Sequence, residues 1–232
     1  MGPLAGDRVD GDTADGDERF TVKHITGSGT LADPETVEVS FNGVKQTYQG
    51  VKGIMANGGL GSDTIDLRGV LAPATVLGGD GNDRIYLGDA AGSTAEGEAG
   101  NDTITASSAT SATGVTLRGG DGDDTLTGGT VGITIYGEGG NDSVTGSPMA
   151  DFLYGGPGND AVLGGDGNDT ITGDEGADHL DGGEGNDWID GGDGDDGLAG
   201  DRGDDQLIGG EGDDFIDGGP GSDILLGDLA TI

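Results

Sequence analysis

Asp160, Asp169, Asp178, Asp187, Asp196, Asp205, Asp214 and Asp223 follow one another every nine residues, each two places after a glycine and most directly after Asn or Asp. Carboxylates, side-chain amides and the carbonyls of glycine-rich turns are all hard oxygen donors. Gathered in a flexible cage, such donors suit a hard divalent cation. Zinc and copper favour His and Cys, of which the chain has two and none.

The glycines indicate what holds these donors. From Gly155 the chain reads GGPGNDAVL, GGDGNDTIT, GDEGADHLD, GGEGNDWID, GGDGDDGLA, GDRGDDQLI, GGEGDDFID and GGPGSDILL, eight nonapeptides in register through Leu226. Two looser units, GEGGNDSVT from Gly137 and GSPMADFLY from Gly146, extend the frame upstream. Before them, GGLGSDTID from Gly58, GGDGNDRIY from Gly78, GEAGNDTIT from Gly97 and GGDGDDTLT from Gly119 alternate with segments ending in TVL, TLR and TIY that lack the acidic loop. Glycines at unit positions 1, 2 and 4 exclude a helix, at about 1 kcal/mol each against alanine, and allow a tight turn. Positions 7 to 9 then form a short strand whose central aliphatic, from Ile65 to Leu225, points inward. Two units make one coil with a turn on each edge; the first edge is acidic throughout and the second from about Asp151.

This pattern resembles the RTX calcium-binding repeats, whose consensus is GGxGxDxUx with U a large aliphatic. The resemblance covers residues 58 to 226. It implies an all-β chain built as a right-handed parallel β-roll, a β-solenoid in which eighteen residues complete one coil. In each unit six residues turn and bind Ca²⁺, and three form the strand.

Candidate ligands follow from position. Asp63, Asp83, Asp102, Asp124, Asp142, Asp160, Asp178, Asp196 and Asp214 form a ladder on one edge, and Asp151, Asp169, Asp187, Asp205 and Asp223 on the other. Position 5 offers Asn82, Asn101, Asp123, Asn141, Asn159, Asn168, Asn186, Asp195, Asp204 and Asp213, which suit either the ion or an Asx turn. Gly155, Gly164, Gly173, Gly182, Gly191, Gly200, Gly209 and Gly218 let turn carbonyls approach the same point. Turns stacked about 4.8 Å apart bring like charges close enough to repel by about 0.9 kcal/mol per pair even in water. Residues 119–232 hold 28 acids and one basic residue, Arg202, so the counter-charge must come from outside the chain. The two ladders imply about eight to twelve Ca²⁺ ions, with the poorest sites beside GSPMAD and in the irregular loops before Gly119.

Residues 1–18 are acidic and glycine-rich and read as unstructured or appended in expression. RFTVKHI, TVEVSFNGV and TYQGVKGIM alternate in hydropathy and read as three strands. They make residues 19–57 an N-terminal β-strand cap over the first coil. Residues 58–226 form the roll, and 227–232 end without a matching cap, as in a truncated chain.

Several function classes drop out. A net charge of −36 with nine Lys and Arg leaves no electrostatic footprint for nucleic acid. No apolar run approaches membrane-spanning length, and Met1 opens no signal-peptide pattern. HExxH and GxSxG are absent, and His24 and His179 have no recognisable nucleophile, so no enzyme is expected. One outward face carries the pairs Thr103/Thr105, Thr125/Thr127 and Ser143/Thr145. The other gathers Phe152, Tyr154, Trp188, Ile208, Ile224 and Leu226, which suits another domain of a longer parent protein or a surface partner. The resemblance implies a secreted or cell-surface bacterial protein, exported unfolded by a type I system and folded by external calcium. The alternative is an adhesive, carbohydrate- or ice-binding solenoid with Ca²⁺ as a strut.

Overall fold

A computed structural model of the chain describes residues 9–10, 16–27, 35–41, 44–106 and 114–227, and every element among them is a strand. The strands lie in two sheets of 11 and 12, and successive nonapeptides alternate between them. Neighbours within a sheet are therefore two units apart: Ile171 pairs with Ile189 and Ile189 with Leu207 in one sheet, and Leu180 with Leu198 in the other. All strand pairs of the roll are parallel, so the stack is the β-roll that the two-unit coil requires. No helix among the described residues is long and apolar enough to cross a membrane.

Downstream strands are longer than positions 7 to 9 alone. Thr170–Glu175 and His179–Glu184 each span six residues, running through positions 1 and 2, which are Gly173 and Asp174 in the first and Gly182 and Gly183 in the second, to position 3. Glycine makes this possible because adjacent coils touch backbone to backbone there. The Gly176 N–H then donates to the Asp193 carbonyl at 2.8 Å, the position-4 to position-3 bond that recurs along both edges.

The core is a single file of position-8 aliphatics. From Ile65 to Leu207 none is more than 2% exposed. Ile216 packs only partly against this file, and Leu225 is 48% exposed because no further coil covers it among the described residues. Upstream, where the second edge lacks acidic loops, its turns are closed by Leu67, Val70, Ala72, Leu87 and Ile133, all buried. Apolar packing there occupies the place that acidic turns hold farther along.

Three strands extend the larger sheet at its N-terminal end. β2 (Arg19–Thr26) pairs in parallel with Thr64–Asp66, and β3 (Glu35–Phe41) and β4 (Val44–Val51) add antiparallel. Phe20 stacks on Phe41 with ring centroids 4.7 Å apart, and Val22, Val37 and Val39 are buried beneath. The third predicted strand is divided: β4 stops at Val51, and β5 (Ile54–Leu60) belongs to the other sheet. Glu35 ties these strands to the roll. Its fully buried carboxylate accepts the N–H groups of Leu71 at 3.1 Å and Ala72 at 2.7 Å and meets His24 Nδ1 at 2.6 Å.

Two stretches upstream of Arg19 also pair with the roll. β1 (Val9–Asp10) lies against Ala56 and Asn57 of β5. Gly16, Asp17 and Glu18 stand at positions 4, 5 and 6 of a turn that continues into Arg19, Phe20 and Thr21. The Glu18 N–H donates to Asp63 Oδ1 at 2.7 Å, and the Ser62 N–H to Asp17 Oδ1 at 3.1 Å. GDERFT is thus a degenerate repeat, recognisable in the sequence only if Glu is admitted at position 6.

Candidate metal centre

Stacking aligns the position-6 aspartates, and each does two things. Its N–H donates to Oδ1 of the next aspartate along the edge: Asp63 to Asp83, Asp102 to Asp124 and Asp160 to Asp178 on the first edge, at 2.7 to 2.8 Å. Asp151 to Asp169 and Asp169 to Asp187 repeat the bond on the second edge at 2.8 Å. Oδ1 is thereby spent on the backbone.

Oδ2 is not. In Asp63, Asp83, Asp102, Asp124, Asp142, Asp160, Asp169, Asp178, Asp187, Asp196, Asp205 and Asp214 this oxygen is buried and accepts no hydrogen bond. A buried carboxylate oxygen without a partner loses its hydration and gains nothing in return. Twelve in two rows call for a partner that the described residues do not supply.

The surroundings of Oδ2 define the kind of partner. A Cβ on Gly164 would stand 2.5 Å from Asp169 Oδ2 and 2.5 Å from the Gly182 carbonyl oxygen. Gly155, Gly173, Gly191 and Gly200 face the same pair, the Oδ2 of their own turn and the position-1 carbonyl of the next coil; Gly182, Gly209 and Gly218 face the Oδ2 of Asp187, Asp214 and Asp223. These glycines lie outside the left-handed region, so they are needed for the space and not for φ. No three carboxylate or histidine side chains among the described residues converge on one point. Each gap instead offers a carboxylate oxygen beside backbone carbonyls. Anionic, water-poor and all oxygen, the donor set fits Ca²⁺.

Two ladder members differ. Asp151 is satisfied within the chain: its Oδ2 accepts the Ser147 N–H, and its Oδ1 accepts the Ile133 N–H at 2.8 Å and the Ser147 hydroxyl at 3.0 Å. Ser147 thus bonds both carboxylate oxygens in the first acidic turn of the second edge, although a Cβ on Gly146 would still face Asp151 Oδ2 and the Gly164 carbonyl as in the other turns. Asp223, in the last described turn, accepts the Asp205 N–H at 3.1 Å and is half-buried.

Position 5 forms a separate outer ladder. Oδ1 of Asn82 accepts the Asn101 N–H, that of Asn101 the Asp123 N–H and that of Asp123 the Asn141 N–H, at 2.8 to 3.3 Å. Asn141, Asn159, Asn168, Asn186, Asp195 and Asp204 accept in the same way from the following coil. The structure therefore brings position-1 glycines and position-6 aspartates together and sets position 5 outside them, bonded to turn backbone.

Burial governs the titration of the inner ladder. Desolvation pushes the carboxyls of Asp83, Asp124, Asp160 and Asp169 up to about 7 and those of Asp102, Asp178 and Asp187 up to about 6. The backbone N–H on Oδ1 opposes the rise, and in most of them neighbouring carboxylates add to it. A folded-state value above the ordinary 3.8 means that metal-free folding takes up protons. Their support for the fold is full below about pH 4 and is lost as pH rises through 6 to 7. Metal-free protein should accordingly gain strand signal in circular dichroism between pH 7.5 and 5.5; a signal that stays flat or falls would contradict this assignment.

Comparison with known proteins agrees with this geometry. A family model described as the RTX calcium-binding nonapeptide repeat (4 copies) matches residues 75–92, 87–109, 115–130, 136–171, 163–198, 172–207 and 199–229. A search of curated proteins finds no match. The matched segments span more than half of the chain and include every turn that carries an unpartnered aspartate oxygen except that of Asp63, so the chain belongs to the RTX calcium-binding nonapeptide repeat family.

Proposed function

We propose that this chain is a calcium-responsive structural module whose roll folds as cations enter the gaps between acidic turns, and that it serves an extracellular bacterial protein exported unfolded. The observation that supports this most is the double row of buried Oδ2 atoms without a partner. When bound, Ca²⁺ supplies the positive charge and the coordination that join one turn to the next. The chain's own part is positional: Oδ1 fixes the aspartate to the neighbouring backbone, the missing Cβ keeps the gap open, and the position-1 carbonyl completes it. Membership of a repeat family that occurs in secreted bacterial proteins and the need for a folding trigger outside the cell favour affinities in the range of extracellular modules, about 10⁻⁴ to 10⁻³ M.

About eight to twelve ions are expected, with no ion at Asp151. The outward sheet bearing Phe152, Tyr154, Trp188, Ile208, Ile224 and Leu226 is proposed as a contact for a neighbouring domain or partner; all six side chains share one sheet, and Phe152 is 52% exposed. No catalytic role is proposed.

Asp187→Ala tests the assignment of an individual site. Calorimetric titration should show a lower calcium stoichiometry than wild type. An unchanged stoichiometry would remove Asp187 from the ligand set.

A further inference from the structure

Among the described acidic turns, GSPMAD from Gly146 to Asp151 alone departs from the backbone of the rest at position 2. From Gly59 to Gly219, the position-2 residues of the other acidic turns all hold a left-handed φ, between 63° and 115°. Ser147 does not. Glu98, Glu138, Asp174 and Asp201 show that a side chain alone does not forbid this conformation, but none of them precedes proline. Gly156 and Gly219 do precede proline, and as glycines they keep φ of 107° and 76°. Ser147 combines a side chain with Pro148 after it, and such a residue is held in the extended region. Met149 likewise has an ordinary φ where the position-4 glycines from Gly61 to Gly212 are left-handed.

The changed backbone changes what the aspartate binds. The Ser147 N–H reaches Asp151 Oδ2, and the Ser147 hydroxyl donates to Oδ1 at 3.0 Å and accepts the Met149 N–H at 3.2 Å. The Ile133 N–H, from the preceding coil, adds a bond to Oδ1 at 2.8 Å. Asp151 is 1% exposed, yet both of its oxygens have donors. GGPGND, from Gly155 to Asp160, carries proline at the same position, and there Oδ2 is buried and unpartnered. The gap itself survives at Asp151, since a Cβ on Gly146 would stand 2.5 Å from Oδ2 and 2.4 Å from the Gly164 carbonyl oxygen. A cation entering this gap must displace an internal hydrogen bond, a cost that the other turns do not impose.

We propose that Ser147 determines where the second row of cations begins: it withholds Asp151 from the ion and makes residues 146–151 a calcium-independent joint, so that the row starts at Asp169. This rests on the calcium reading above. The joint ties Ile133–Gly139 to Phe152–Pro157, at the place where the second edge passes from turns closed by Leu67, Val70 and Ile133 to acidic ones. A chain short of calcium thus keeps its upstream coils paired as far as Phe152–Pro157 and presents that strand as the template for the next coil.

The test uses the full chain and Ca²⁺ itself. In chelator, hydrogen exchange of the wild type at residues 152–154 should be slower by about tenfold or more than at residues 188–190, which hold the equivalent place two coils along the same sheet. Ser147→Gly with Met149→Gly gives GGPGAD, a turn with the glycines of residues 155–160. Calorimetry should find about one more ion per chain in this double variant than in wild type, and the protection of residues 152–154 in chelator should be lost. Adding Asp151→Asn should remove the extra ion, whereas Asp151→Asn alone should leave the wild-type stoichiometry unchanged. If the double variant does not fold in millimolar Ca²⁺, the wild-type exchange and Asp151→Asn alone decide the matter. Equal exchange at the two strands of the wild type, an unchanged stoichiometry in the folded double variant, or an ion lost from Asp151→Asn alone would overturn the inference while the calcium reading stands. A wild-type chain that takes up no calcium would overturn both.

Discussion

Removing calcium at pH 7.5 will convert most of the roll to coil, and millimolar Ca²⁺ will restore the strand signal in circular dichroism. The expectation follows from where charge is buried. Twelve aspartates present an oxygen that is out of water and without a partner, and Arg202 is the one basic side chain downstream of Gly119. It pairs with Glu184 on the surface, away from both rows. Downstream of Asp151 the apolar file is one aliphatic wide per strand and cannot by itself order a glycine-rich coil. A ligand that binds only the folded state adds about 2.7 kcal/mol per site at a hundredfold excess over Kd. A few such sites equal the whole stability of an ordinary domain, about 5 to 15 kcal/mol. The loss should also be uneven. Turns closed by Leu67, Val70, Ala72 and Leu87, and the strands tied by Glu35, depend less on cations than the turns after Asp151. Hydrogen exchange in chelator should therefore retain protection upstream and lose it downstream. Equal strand content with and without calcium would refute coupled folding.

Gly164→Ala should have the second largest effect. Alanine replaces glycine favourably where φ is ordinary, and that of Gly164 is. Here the added methyl would fall 2.5 Å from both Asp169 Oδ2 and the Gly182 carbonyl, filling the space between the two donors. The variant should bind less calcium than wild type and fold only at a several-fold higher concentration, an inversion of the usual gain from Gly→Ala. A variant that keeps the wild-type stoichiometry and gains stability would place the ion elsewhere.

Much of this architecture was legible because a nine-residue recurrence of glycine, aspartate and aliphatic fixes turn, ligand and core together. Alternation of acidic and plain units showed the two-unit coil before any pairing was seen. The remainder depended on contacts that carry no period. An amide at position 5 suits an ion or a backbone N–H equally, and only the observed bonds, such as Asn101 Oδ1 to the Asp123 N–H, show the second. Asp151 matches the repeat in sequence, yet Ser147 occupies both of its oxygens. Glu35 looks like an ordinary strand acid until Leu71 and Ala72, distant in sequence, donate to it. GDERFT was hidden by a single extra methylene, Glu18 standing where the pattern calls for Asp.

The central claim concerns atoms, and anomalous diffraction from crystals grown in millimolar CaCl₂ tests it most directly. The account predicts calcium peaks in two rows, each peak bonded to a position-6 Oδ2, with none at Asp151. Rows of empty turns, with Oδ2 bonded to water or to other parts of the chain, would contradict it.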